Sequence, residues 1–340
     1  MVLCPVSRYE DAKGSMLMLV VGNQAPRGNL APGAQIEISP SPVQSRQSVS
    51  ECGIAGFLTV YLRPTTLEEA VEALWQSGGE VLAGGTDFYP ALGERIPTKP
   101  VVDITRVREL RGITSRPDSF RIGGGTTWTE VIKTPLPRCF DALKAAAREI
   151  GSVQIQNRGT VAGNLCNASP AADSVPALLV VDAEVELASR DAIRRVPVKD
   201  FILGNRKTVR RSDEILSAVI VPRTLENAAS AFLKLGARRY LVISISMIAV
   251  VLDIKSERIQ QVRVAVGSCS ARAQRLTELE QELIDAPLGK VAELVAARHV
   301  QVLSPISDVR ATADYRLDSA LTLVRRALQQ CAATYSHGDH

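Results

Sequence analysis

Val81-Leu82-Ala83-Gly84-Gly85-Thr86-Asp87-Phe88 opens as a short apolar strand and breaks at two adjacent glycines. Glycines placed after a strand let the backbone turn sharply and bare several N–H groups together, a nest that suits an anion such as a phosphate. Thr86 adds a hydroxyl donor. Taken alone, a strand-Gly-Gly turn most often only reverses the chain. Its meaning therefore depends on a second stretch, from Ile150 to Pro176, which contains Gln154-Ile155-Gln156-Asn157-Arg158-Gly159-Thr160-Val161-Ala162-Gly163-Asn164. That stretch is dense in Gly, Asn, Ser and Gln, has little periodicity, and reads as one long loop. Val153, Ile155, Val161 and Leu165 give it packing residues of its own, so order is expected rather than disorder. The plain reading is an omega-like surface loop. A polar, glycine-punctuated loop with buried anchors is also what lining an extended polar cofactor requires.

Around these two stretches the pattern alternates helix and strand. Thr66-Leu67-Glu68-Glu69 is a capping box, followed by Leu67, Ala70, Val71, Leu74 and Trp75 at helical spacing and stopped by Gly78-Gly79. Val101 to Ile104 reads as a strand, as does Phe120 to Ile122 leading into Gly123-Gly124-Gly125. Thr127 to Glu130 is a second capping box. Helices are expected over Leu143 to Ile150 and Pro176 to Val181, and strands over Ala183 to Leu187 and Glu214 to Val221. Beyond residue 226 the texture changes to antiparallel strands at Ala231 to Leu235, Met247 to Ile254 and Gln261 to Val266, the last two joined by a turn at Lys255-Ser256-Glu257. Helices follow at Leu276 to Ile284, Val291 to His299 and Leu317 to Gln329. Residues 1–55, rich in Pro, Ser, Gly and Gln, read as a disordered extension. The expected division is then 56–225, 226–330 and a tail at 331–340.

Composition narrows the chemistry. The 340 residues are 46% hydrophobic and 22% charged, which describes a globular chain with apolar residues enough for two cores. Forty basic against thirty-six acidic residues leave +4, with no polybasic run; the pairs Arg206-Lys207 and Arg210-Arg211 read as solvated edges, and neither nucleic acid nor membrane is an expected partner. Six cysteines, the nearest two 27 residues apart, supply no zinc or iron–sulfur ligand run and suit reduced thiols in the cytoplasm. Of three histidines, two lie in the last four residues, so a Ser-His-Asp triad or a histidine metal site is not expected. No residue is assigned as catalytic. Redox or group-transfer chemistry here would rest on a bound organic cofactor. No GxxxxGK[ST] is present, and Ile122 to Thr127 does not open a long Rossmann helix, so P-loop and nicotinamide Rossmann readings are set aside.

At these residues the chain resembles the FAD-binding (medium) subunit of the molybdenum hydroxylases, the xanthine dehydrogenase, aldehyde oxidoreductase and carbon monoxide dehydrogenase type enzymes. The resemblance runs from about Phe57 to Leu328. It includes Tyr61 to Thr65, Leu82 to Asp87, Ile122 to Thr127, Gln154 to Asn164, Ser169 to Leu178, Arg206-Lys207-Thr208, Lys234 to Arg239 and Asp308 to Arg316. It implies an α+β fold: an FAD-binding domain of the vanillyl-alcohol oxidase/p-cresol methylhydroxylase type, made of two α+β subdomains, followed by a smaller C-terminal α+β domain. It also implies cofactor contacts. Val81, Leu82, Ala83, Gly84, Gly85, Thr86, Asp87 and Phe88 would wrap the FAD pyrophosphate, and Thr160, Val161, Ala162, Gly163 and Asn164 would form the second cofactor loop with Ile150 at its approach. Asp173 would sit on the adenosine or ribityl side, and Leu216 and Lys234 at the flavin end.

Two departures from the family pattern stand out, Ala162 where glycine is frequent and Gln156 where arginine is frequent. A methyl at Ala162 is tolerated at negative φ and would cost about 1 kcal/mol or more at a left-handed position. By the resemblance, this chain is the flavin subunit of an oxidoreductase, with the molybdenum cofactor on a large partner subunit and [2Fe–2S] clusters on a small one. FAD would pass electrons on to NAD, oxygen or a quinone. Two other readings compete: a self-contained flavin oxidase acting on a small alcohol or amine, and a nucleotide-binding assembly module that has lost electron transfer.

Overall fold

The computed structural model describes residues 59–336, together with the backbone of Ser7–Glu10 and Met16–Leu19. Those two short segments pair as antiparallel strands, where the sequence suggested a disordered extension; the rest of residues 1–55 lies outside the described residues.

A small parallel sheet comes first, with Val101–Asp103 between Tyr61–Leu62 and Glu80–Leu82. The crossover helix Leu67–Ser77 carries the expected capping box: Thr66 Oγ1 accepts the Glu69 amide and Glu69 reaches back to the Thr66 amide. Gly78, at φ +58, ends it in the left-handed region that favours glycine. Ala70, Val71 and Leu74 face Val102 and Ile104, whereas Trp75 stays at the surface under the Arg190 guanidinium. A five-stranded antiparallel sheet follows in the order Ile113–Ser115, Ser119–Gly123, Ile215–Pro222, Glu184–Ala188, Ile193–Pro197. Its central strand is buried along nearly its whole length because helices cover it.

The last sheet is antiparallel, in the order Ala229–Leu235, Ser246–Lys255, Arg258–Gly267, Gln274–Arg275. Strand periodicity divides Ser246–Lys255 between two cores. Met247, Ala249 and Val251 pack with the helices of the preceding unit, and Ile248, Val250 and Leu252 pack under the C-terminal helix Ala313–Ser336. A strand buried on both faces reads as a continuous apolar run, as this one does. Ser256 and Glu257, both at positive φ, make the expected tight turn.

Three readings need correction. Ile150 to Pro176 is not one irregular loop: it folds as three short helices, Val153–Gln156, Val161–Asn167 and Ser174–Leu179, the first two capped by Ser152 and Thr160. Helices of only one or two turns leave too short a window for periodicity to register. Val291 to His299 is not a helix. The Val295 carbonyl accepts from the Arg325 guanidinium, Ala296 is extended, and a 3₁₀ turn starts only at Ala297. Residues 331–336 are not a tail but the last turns of the C-terminal helix, with Cys331 buried and the Tyr335 hydroxyl donating to the Leu252 carbonyl at 2.8 Å. Among the described residues, no helix is long and apolar enough to cross a membrane.

Candidate functional site

The two glycine-rich stretches meet. Gly84 lies so close to the second stretch that a Cβ there would be 1.9 Å from the Arg158 carbonyl oxygen, and a Cβ on Gly159 would be 3.5 Å from Thr86 Oγ1. Gly85, at φ +76, turns the chain between them. Thr86 and Thr160 thus share one cleft of about 860 Å³, at the upper end of the size of small-molecule sites.

Of the residues expected at a cofactor, Val81, Ala83, Gly84, Gly85, Thr86, Asp87, Phe88, Ile150, Thr160, Ala162, Gly163, Asn164 and Leu216 line this cleft. Four do not. Leu82 and Val161 are 3% and 0% exposed and serve the core, as alternation along a strand and the inner face of a helix require. Asp173 and Lys234 pair with each other at 2.8 Å away from the cleft wall, with the Ser244 hydroxyl donating to the other Asp173 oxygen at 2.7 Å. Burial pushes the Asp173 carboxyl up from its ordinary pKa, and Lys234 and Ser244 offset only part of that. The pair still reaches toward the site, since Lys234 Nζ also contacts the Glu149 carbonyl, next to Ile150.

The amides bared at the first turn are free, and those of the second stretch are not. The amides of Gly84, Gly85, Thr86 and Asp87 find no acceptor among the described residues. At the second stretch the donors are already used. Val161 donates to the Thr126 carbonyl, Ala162 to that of Gly124, Gly163 to Thr160 Oγ1 and Asn164 to the Thr160 carbonyl. What Thr160 retains is its hydroxyl proton, because Oγ1 accepts one bond and still carries a donor. Ala162 sits inside the helix Val161–Asn167, so its methyl is accommodated.

Sequence reasoning missed part of the wall. Ile104, Trp128 and Ile155 join Ile150 and Leu216 as apolar lining, and Cys166 opens onto the cleft with its thiol pushed up by burial to about 11. Arg206, Arg210 and Lys99 also line it, although the arginine pairs read as solvated edges. The hairpin of Ile202–Gly204 and Lys207–Thr208 carries Arg206 to the cleft, and sequence pattern gives no sign of where a short hairpin will fold. Glu214 is buried at the rim. Burial raises its carboxyl, but the Arg194 hydrogen bonds and the Arg211 amide outweigh that and hold it below the usual range.

This donor set fits a flavin dinucleotide: a run of unpaired amides, two hydroxyls and cationic side chains suit a diphosphate, and an apolar wall suits a flat ring. Elsewhere Glu278, Glu282 and His299 come within 4.8 Å of one another. His299 Nδ1 accepts the Ala296 amide, so in the neutral ring Nε2 carries the proton, 3.3 Å from a Glu282 oxygen, and offers no lone pair to a metal.

Comparison with known proteins gives the same picture. A family model described as the FAD binding domain in molybdopterin dehydrogenase matches residues 53–224, and one described as the CO dehydrogenase flavoprotein C-terminal domain matches residues 231–331. The chain is 33% identical over 279 residues to the xanthine dehydrogenase FAD-binding subunit of Escherichia coli O157:H7, covering 80% of this chain and 96% of that protein. It is 34% identical over 238 residues to the nicotinate dehydrogenase FAD-subunit of Eubacterium barkeri, covering 67% and 80%. Among solved structures, carbon monoxide dehydrogenase from Hydrogenophaga pseudoflava superposes with a TM-score of 0.72 at 27% identity, over 81% of this chain and 97% of the matched one.

Proposed function

The chain belongs to the family of FAD-binding medium subunits of the molybdopterin dehydrogenases, and from that premise we propose that its cleft holds FAD and relays electrons within a three-subunit enzyme. Electrons would arrive from [2Fe–2S] clusters on a small partner subunit and leave to NAD, oxygen or a quinone; a large partner subunit would carry the molybdenum cofactor and hydroxylate the substrate. FAD supplies the capacity to accept electrons and release them to a two-electron acceptor.

This chain's own residues bind, orient and shield. The unpaired amides of Gly84 to Asp87 would donate to the diphosphate, joined by the Thr86 and Thr160 hydroxyls. Ile104, Ile150, Ile155 and Leu216 would exclude water from the ring. The Asp173–Lys234 pair, held by Ser244, would fix the Glu149–Ile150 backbone from behind. The free thiols of Cys139, Cys166, Cys269 and Cys331 support a reducing, cytoplasmic setting.

One observation carries the reading: four successive amides without acceptors among the described residues share a single cleft with a threonine hydroxyl from a distant stretch. The test is to purify the full chain with its partner subunits and measure bound flavin. About one FAD per chain is expected, with its absorbance bleached when the complex receives substrate electrons. A colourless preparation that takes up no added FAD would refute it.

A further inference from the structure

Arg206 belongs to a segment singled out in the sequence and left without a role, and its surroundings are unusual. Its backbone sits at φ +55, a region that residues other than glycine seldom occupy. The conformation is held by the Arg206 amide, which donates at 3.0 Å to the carbonyl of Ala168, itself at φ +47. Two left-handed residues are thus locked together by a backbone bond, one ending the helix Val161–Asn167 and the other forming the hairpin turn. Strain of this kind persists where surrounding structure enforces it, and it gathers at ligand clamps.

The outcome is an arginine that spans the cleft. Its Nη1 lies 2.9 Å from Asn167 Oδ1 at the end of the second stretch and 3.8 Å from Asp87 Oδ2 at the end of the first. Among the described residues, neither of the other two cations of the wall bridges the two stretches. Arg210 donates to the carbonyls of Glu214 and Arg211, and Lys99 lies beside Glu80. Arg206 keeps several of its five donors free, on a planar fork whose geometry matches phosphate oxygens.

We propose that Arg206 is a clasp for the diphosphate of the bound dinucleotide, supplied by a third segment of the chain and acting opposite the unpaired amides of Gly84 to Asp87. The inference rests on the FAD reading above. Arg206 closes the open side of the anion site and ties both cleft walls to the hairpin.

The test compares three ligands on the full-length chain: FAD, ADP, which has the diphosphate without the flavin, and riboflavin, which has the ring without phosphate. Arg206→Ala should weaken FAD and ADP alike by about tenfold or more, as loss of a charge-assisted pair to phosphate does. Riboflavin affinity should stay at the wild-type value, and Arg206→Lys should recover part of the loss, since a point charge replaces the fork. ADP binding unchanged in Arg206→Ala would overturn the proposal, and so would a parallel fall in riboflavin binding, which would mark a distorted cleft. A wild-type chain that binds none of the three would instead overturn the FAD reading itself.

Discussion

Replacing Gly84 by alanine places a methyl carbon 1.9 Å from the Arg158 carbonyl oxygen and 2.7 Å from its carbonyl carbon. Ordinary contact begins near 3.4 Å, so the two stretches must separate by about 1.5 Å, and both obstructing atoms are backbone. No side-chain rotation relieves that overlap. Overpacking of this kind costs about 1–3 kcal/mol, and the upper value is expected where only backbone can move. With a urea slope of about 2–3 kcal/mol/M, the midpoint should fall by roughly 1 M. The same separation pulls the unpaired amides away from Thr160, so bound FAD should drop further than stability alone accounts for. Gly289→Ala is the control, since a Cβ there meets nothing within 4 Å and the backbone is not left-handed; it should stay within about 0.5 kcal/mol of wild type. Urea unfolding followed by circular dichroism, with flavin content measured on the same preparations, gives both numbers. A Gly84→Ala protein with the wild-type midpoint and full flavin would refute the claim that this contact builds the cleft.

Lys234→Met leaves the Asp173 carboxylate buried with only the Ser244 hydroxyl beside it, and breaking such a pair from one side costs about 3–5 kcal/mol. Adding Asp173→Asn to that variant should restore part of the loss, which thermal unfolding of single and double variants will read. Cys166, pushed up to about 11 by burial, should react slowly with iodoacetamide near neutral pH and faster as pH rises toward that value; FAD should block the reaction, and mass spectrometry of the Cys166 peptide follows it. Asp308 is held well below the ordinary carboxylate range by the Arg310 amide and by the Arg316 and Arg310 guanidiniums. Its stabilisation is therefore present above the unfolded-state pKa of about 3.9 and is lost as pH falls below it. Asp308→Asn should flatten the acid limb of the stability–pH profile and leave the alkaline limb unchanged.

Local chemistry was legible wherever a few neighbouring residues decide it. The capping boxes at Thr66–Glu69 and Thr127–Glu130 formed as read, because each needs only a hydroxyl and a carboxylate three residues apart. The failures share a cause as well. Val291 to His299 has helical spacing, yet Arg325, thirty residues on, takes the Val295 carbonyl that a helix would need. Thr160 to Asn164 reads as part of an irregular loop, and the fold makes it a helix start whose first two amides donate to the Thr126 and Gly124 carbonyls of another segment. For Lys234, which the resemblance puts at the flavin end, only the fold shows the pairing with Asp173.

The sequence by itself determined that the chain turns sharply at Gly84-Gly85, that strands give way to a C-terminal helix, and that histidines are few and cysteines widely spaced. Those features follow from backbone freedom, periodicity and composition, which act over a few residues or over none. Only the tertiary structure decided which amides stay unpaired, that Leu82 and Val161 turn inward, and that Arg206 spans the cleft. A hydrogen-bond donor is free or used according to what lies opposite it, and what lies opposite comes from segments far away in the chain.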